Sequence, residues 1–275
     1  MKTNTTQTKL VLGLQHVLAM FGATVLVPFL TGLNPSIALL SAGIGTLIFH
    51  YCTKKIVPVF LGSSFAFIGA LTLILKEEGI ASVKGGVIAA GFVYVLMSGL
   101  VRYFGVEKIK SFFPPIVVGP IIMVIGLRLS PVALSMSGYK DGNFDPNSLI
   151  VALVVIITMI TVSILEKSFF RLVPILIAVF LGYLTAMSLG MVGFSSFEQA
   201  SWFGFSDLAK KDLLTIPVFT MTAILGIAPI ALVVFIEHIG DIATNGAVVG
   251  KDFFKNPGIT RTLFGDGLAT IVAGF

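Results

Sequence analysis

Glu237, His238 and Asp241 place a carboxyl group, an imidazole and a second carboxyl group within five positions of the stretch Ile230 to Asp241. They follow an uncharged run of 24 residues, Leu213 to Ile236. A helix that crosses hydrocarbon needs about 20 apolar residues, and an ionisable group inside it costs roughly 2.5–3.5 kcal/mol on insertion scales. Residues four apart share a helix face, so Glu237 and Asp241 align while His238 turns aside. Groups of this kind can exchange a proton and hydrogen-bond a polar solute at a depth where water is scarce. The competing reading is a helix that has simply reached water at Glu237. Gly240, Ile242 and Ala243, with the uncharged run to Gly250, let the helix continue past the cluster and favour a functional placement.

Such a cluster needs a membrane to matter, and the composition supplies one. The chain has 275 residues, of which 56% are hydrophobic and 11% charged, with a mean hydropathy of +1.03. A soluble domain of that make-up would be one continuous apolar patch. The excess of 18 Lys+Arg over 13 Asp+Glu belongs to loops that set topology and does not indicate nucleic-acid binding. A single cysteine, Cys52, leaves no internal disulfide and no multi-cysteine metal site among these residues. The three histidines, His16, His50 and His238, do not form a metal-binding pattern, so a membrane enzyme is a distant alternative and no metal or organic cofactor is expected. The polar N-terminus runs straight into a span without a small-residue cleavage site, so no removable signal peptide is expected.

Nine spans are expected. The 44 residues between Lys9 and Lys54 carry no formal charge and divide into two spans at Gly32-Leu33-Asn34-Pro35. The third span covers Ile56 to Leu75, the fourth Gly85 to Val101, and the fifth Phe112 to Leu127. A Pro/Gly/Ser/Asp-rich loop fills 131–146. The sixth span is Asn147 to Leu165 and the seventh Leu172 to Val192. The mixed segment Gly193 to Asp212, with Trp202, reads as an interfacial crossing. The eighth span is Leu213 to about Ala243, and the ninth Ile259 to Phe275.

With the N-terminus inside, the inner segments hold 12 Lys/Arg and the outer segments 6, which favours a cytoplasmic N-terminus. An internal repeat is also visible at an offset of 222 residues. Gln15-His16 faces Glu237-His238, Asn34-Pro35 faces Asn256-Pro257, and Ala42 to Ile48 faces Gly265 to Ile271 with a slip of two. Seven spans per repeat make the two copies inverted, the pattern of secondary transporters with a site at the midplane. A second copy would run roughly 140 residues past Phe275, so the chain is expected to stop after its ninth span.

The third span offers the other half of a site. Pro58, then Gly62, Ser63 and Ser64 before Phe65, predict a broken, partly extended segment over Phe60 to Phe67. Such backbone is tolerated only where protein or a cavity satisfies its N–H and C=O groups. It would offer backbone hydrogen bonds and a phenyl face to a flat heterocycle. A small-residue packing face accounts for the same residues equally well. Gln15 and His16 read more simply as a buried polar pair that fixes helix contacts.

Leu12 to Pro28 (L-G-L-Q-H-V-L-A-M-F-G-A-T-V-L-V-P), Phe60 to Ile68, Phe112 to Pro115 (F-F-P-P) and Glu237 to Asp241 (E-H-I-G-D) resemble the bacterial uracil permeases. These belong to the nucleobase–ascorbate transporter family of nucleobase:cation symporters. The resemblance runs from Leu10 to Phe275, and F-G-A-T-V-L-V-P looks closer to the uracil branch than to the xanthine and urate branch.

The resemblance implies an all-α polytopic protein of fourteen spans in two inverted sevens, divided into a core and a gate. On this chain the core would be 10–104 (spans 1–4) and 213–275 (spans 8–9), and the gate 111–192 (spans 5–7). It implies that Phe65, with Ser64 and Gly62, meets the base, and that Glu237 hydrogen-bonds it. Asp241 stands where relatives carry His or Asp linked to proton coupling, with Gln15, His16 and His238 as polar neighbours. A second ligand-binding carboxylate would follow Val272 to Phe275, outside these residues. The expected function is uracil import by proton symport with elevator-type movement, in the bacterial inner membrane. The proton is the coupling ion, lipid surrounds the protein, no nucleic acid is bound, and a homodimer through the gate domain is compatible. The alternatives are an anion transporter or channel of the same architecture, in which Glu237 would be unwelcome, and a purine permease of the xanthine/urate type.

Overall fold

The computed structural model describes residues 6–112, 115–164, 174–193 and 206–275. Five of its helical stretches are long and apolar enough to cross a membrane: Gly13–Thr31, Pro35–Cys52, Ile80–Phe104, Pro146–Ile164 and Met221–Val249. The protein is a mostly helical membrane protein. By internal contacts it divides into two compact units, one of residues 1–22 and 126–204, the other of 23–125 and 205–275.

In the first unit, α8 (Pro146–Ile164) packs on α9 (Pro174–Ser188). A Cβ on Gly182 would stand 2.5 Å from Val155 Cγ2, so the two helices touch where the side chain is missing. The segment expected as a plain loop, 131–146, instead holds α7 (Ser130–Met136) and a small hairpin of β1 (Tyr139–Lys140) and β2 (Asn143–Phe144). Asp141 and Gly142 both have positive φ, 49° and 88°, which suits a tight hairpin turn. Asp145 then accepts hydrogen bonds from the backbone N–H and the hydroxyl of Ser148 at the start of α8. The hydroxyl bond, and after it the backbone one, hold the Asp145 carboxyl below its ordinary range.

The second unit takes in the C-terminal part of α1 (Thr6–Thr31) together with α2 (Pro35–Cys52). Between them Gly32 turns the chain at φ 85°, and the Asn34 side chain accepts the Ser36 N–H at 3.0 Å, with Pro35 in the first helical position. After α2 the chain runs without regular structure over 56–64, makes a 3-10 turn at Phe65–Phe67, and enters α3 (Ile68–Glu77). The stretch expected to be extended, Phe60 to Phe67, is thus free of helix only as far as Ser64. Next come α4 (Ile80–Phe104), longer at both ends than expected, α5 (Val106–Phe112) and α6 (Pro115–Arg128).

The later part of this unit opens with α10 (Asp207–Leu214), whose first turn is capped by Ser206. The rest of the expected interfacial segment, including Trp202, lies outside the described residues. The eighth span does not begin at Leu213. Residues 215–220 are non-helical, and helix resumes only at α11 (Met221–Ile227) and α12 (Ile230–Val249). Pro217 has no N–H for a helix and biases Ile216 towards extended backbone. The freed N–H of Val218 goes to the Ala81 carbonyl of α4 at 2.9 Å. α12 ends at Gly250, a left-handed cap with φ 72°. A short π-type turn, Phe254–Gly258, leads into α13 (Ile259–Ala273).

Glycines let these helices meet. A Cβ on Gly45 of α2 would lie 3.2 Å from Ala269 Cβ, and one on Gly91 of α4 would lie 2.9 Å from the Gly267 carbonyl of α13. Lipid gives no hydrophobic drive to helix association, so close van der Waals contact of this kind carries it. Around that seam, Leu71, Ile74, Tyr94, Phe235, Ile239 and Leu263 form the buried core.

Candidate functional site

The broken third span is tied to α1 and α2 through one side chain from α2 and one of its own. Thr46 Oγ1 accepts the Leu61 N–H at 3.0 Å while donating to the Ala42 carbonyl at 2.7 Å. Ser63 Oγ donates to the Thr24 carbonyl at 3.1 Å. Thr24 is buried, and among the described residues its Oγ1 has no hydrogen-bond partner. A Cβ on Gly62 would come within 2.9 Å of that oxygen, so glycine is what lets the strand pass over the hydroxyl. Ser64 has φ −88° and ψ 129°, extended backbone, and both Ser64 and Phe65 are half-buried. The 3-10 turn that starts at Phe65 packs against α12.

α12 brings the polar cluster to the same place. Its apolar face, Phe235, Ile239 and Ile242, is buried, and Glu237 is half-buried. Asp241, one turn on, is exposed. His238 does turn aside from Glu237 and Asp241, but into the core, where it is 8% exposed. Its Nδ1 stands 3.1 Å from Asp266 Oδ2 and its Nε2 2.9 Å from Thr262 Oγ1, both on α13. Glu237, Asp241 and Asp266 lie within electrostatic reach of one another, and Glu237 and Asp266 also reach the buried Tyr94 of α4.

This arrangement gives the imidazole two ways to close its hydrogen bonds. Thr262 Oγ1 also lies 3.0 Å from the Ile259 carbonyl. When the hydroxyl donates to that carbonyl, Nε2 must donate to the hydroxyl. When the hydroxyl turns, it donates to Nε2 instead, so one hydroxyl can serve either partner.

Asp266 and Thr262 were not among the residues singled out from the sequence. Asp266 appears there only inside the repeat match Gly265 to Ile271, although a lone carboxylate in an apolar span is the same signal that marks Glu237. Gln15 is half-buried and His16 exposed on α1, and both fall in the first compact unit. Of the F-F-P-P stretch, Phe113 and Pro114 lie outside the described residues.

The chain is similar in sequence to known permeases. It is 44% identical over 262 residues to a probable uracil permease of Haemophilus influenzae, covering 95% of this chain and 62% of that protein. It is 40% identical over 267 residues to the uracil permease of Escherichia coli (96% and 61%) and 39% identical over 265 residues to that of Bacillus subtilis (94% and 61%). The chain thus spans about three fifths of the length of the curated relatives it matches, and these relatives are named as permeases rather than as enzymes. With a model described as the Permease family matching residues 7–275, the chain belongs to that family of permeases.

Proposed function

We propose that the whole protein imports a nucleobase, with uracil as substrate, by proton symport in the bacterial plasma membrane. The observation that carries this reading is the pairing of a non-helical, side-chain-tethered stretch, 56–64, with a helix that bears a half-buried carboxyl group. A flat neutral heterocycle with adjacent donors and acceptors needs free backbone groups, a stacking face and a bidentate partner. Ser64, Gly62 and Phe65 would supply the first two and Glu237 the third. Asp241, with Glu237, would exchange the coupling proton. Three carboxyl groups in mutual electrostatic reach disfavour an anion as cargo. The names of the relatives favour uracil over a purine.

On this reading the described residues belong to a seven-plus-seven inverted repeat with a cytoplasmic N-terminus. Residues 10–104 and 213–275 would be the moving core and 111–192 the gate, through which a homodimer would form. Alternating access would come from elevator-like movement of core against gate.

Glu237 tests the proposal in the whole protein. Loss of a hydrogen bond to a buried partner costs about 1–3 kcal/mol, roughly 5- to 150-fold in affinity. Glu237→Ala should abolish uracil binding measured by calorimetry. Glu237→Gln should keep weak binding yet lose accumulation driven by a pH gradient in vesicles. Uracil binding by Glu237→Ala equal to the parent would place the site elsewhere.

A further inference from the structure

Away from the polar cluster, the last turn of α2 and the first turns of α13 form an open groove of about 490 Å³ lined by Tyr51, Cys52, Lys54, Arg261 and Phe264. The two helices touch just above it. A Cβ on Gly265 would stand 3.0 Å from Cys52 Cβ and 3.3 Å from the Phe49 ring. Arg261, four residues before Gly265 on the same face of α13, is exposed and lines this opening.

The opposite rim is fixed by a saturated turn. Thr53 N–H and Oγ1 both bond the Phe49 carbonyl, Lys54 N–H reaches the Tyr51 carbonyl at 3.3 Å, and Lys55 N–H reaches the His50 carbonyl at 2.8 Å. Lys54 and Lys55 take φ values of 54° and 58°, a left-handed backbone that residues with side chains seldom adopt. Those bonds hold it. Among the described residues no carboxylate pairs with Lys54 or Arg261; the one ion pair near this end joins Asp252 to Lys255.

Exposure decides what kind of anion fits. Among the described residues, Tyr51 is 86% exposed and Phe264 41%, and Leu47, one turn deeper on α2, is 71% exposed. Pro35–Cys52 is long and apolar enough to span a membrane, so these side chains lie at the boundary between acyl chains and headgroups. A pocket with two unpaired cations at headgroup depth and an apolar wall running inward matches an anionic amphiphile. A free anion would use the cations and leave the wall idle. We propose that this pocket is a binding site for the phosphodiester headgroup of an anionic phospholipid, held by Lys54 and Arg261 with its acyl chains along Leu47, Tyr51 and Phe264. The inference rests on the membrane placement of α2 and not on the transported solute.

Cys52 lines the pocket, so its chemistry reports occupancy. The whole protein is placed in nanodiscs of phosphatidylcholine with or without phosphatidylglycerol, and modification of Cys52 by a small thiol reagent is timed by peptide mapping. Retained phosphatidylglycerol is counted by native mass spectrometry. Phosphatidylglycerol should slow modification of Cys52 and stay bound. Lys54→Gln with Arg261→Gln should weaken retention by about 30-fold, two cations together, and restore the fast rate. Lys251→Gln, at the same end of the molecule but outside the pocket, should leave both unchanged. Equal rates with the two lipids, or unchanged retention in the double variant, would overturn the proposal. So would protection by millimolar inorganic phosphate alone, which makes the pocket a free-anion site. An equal loss in Lys251→Gln would do the same, because it means diffuse surface attraction.

Discussion

Thr262 is one hydroxyl with two duties, to His238 Nε2 and to the Ile259 carbonyl. Thr262→Val keeps its shape and removes both. A buried imidazole nitrogen left without a partner costs about 1–3 kcal/mol, so the variant should unfold at a distinctly lower temperature. Thr262→Ser should restore the midpoint, since it keeps the hydroxyl. A valine variant that melts with the parent would show that His238 is not held as described. The sequence made Glu237, His238 and Asp241 legible because charge inside an apolar run is conspicuous. It hid the partner on α13, because which of two remote helices faces His238 is a matter of packing. Asp266 sat inside a matched heptapeptide, and its value as a repeat marker obscured its charge.

At the scale of elements, the break in the third span was readable because its cause is local: Pro58 and the Gly-Ser-Ser run. Its stopping point was not, since the 3-10 turn from Phe65 forms against α12, far away in sequence. The break before α11 carried a comparable signal in Pro217, yet the uncharged run from Leu213 outweighed it. What stabilises that break is again remote. Lys84 Nζ donates to the carbonyl oxygens of Leu213 at 3.2 Å and Thr215 at 2.8 Å, and to that of Phe275 at 2.8 Å. Thr220 donates to Glu78, and this bond, with those from Thr222 and Ser82, holds the Glu78 carboxyl below its ordinary range. The crossing itself depends on Gly85, where a Cβ would lie 2.0 Å from the Val218 carbonyl. Gly85→Ala must therefore displace the 215–220 segment, at a cost of about 1–3 kcal/mol by analogy with overpacked cores. Hydrogen exchange should show the Val218 amide losing protection in that variant. An amide as protected as in the parent would mean that the segment does not cross Gly85 so closely.

At the scale of the whole molecule, composition alone points to the membrane, and the basic bias proposes which side is cytoplasmic. In a Cys52→Ser background, Lys255→Cys should resist an impermeant thiol reagent added to intact cells, while Lys140→Cys in the hairpin should react. The reverse pattern would invert the topology. The division into compact units was less legible, because helices adjacent in sequence need not share a unit.

Lys84 has a further consequence, which concerns the order of synthesis. Its carbonyl partners lie 129, 131 and 191 residues downstream. At about 5–20 residues per second the ribosome reaches them roughly 6–40 s after Lys84 is made. Throughout that interval α4 sits in the bilayer with an ammonium lacking its final partners, and with Gly85, Gly86 and Gly91 facing lipid where α11, α13 and the 215–220 crossing will later press. While the chain is still growing, α4 therefore waits with a charge and three bare glycine contacts that only the later helices complete.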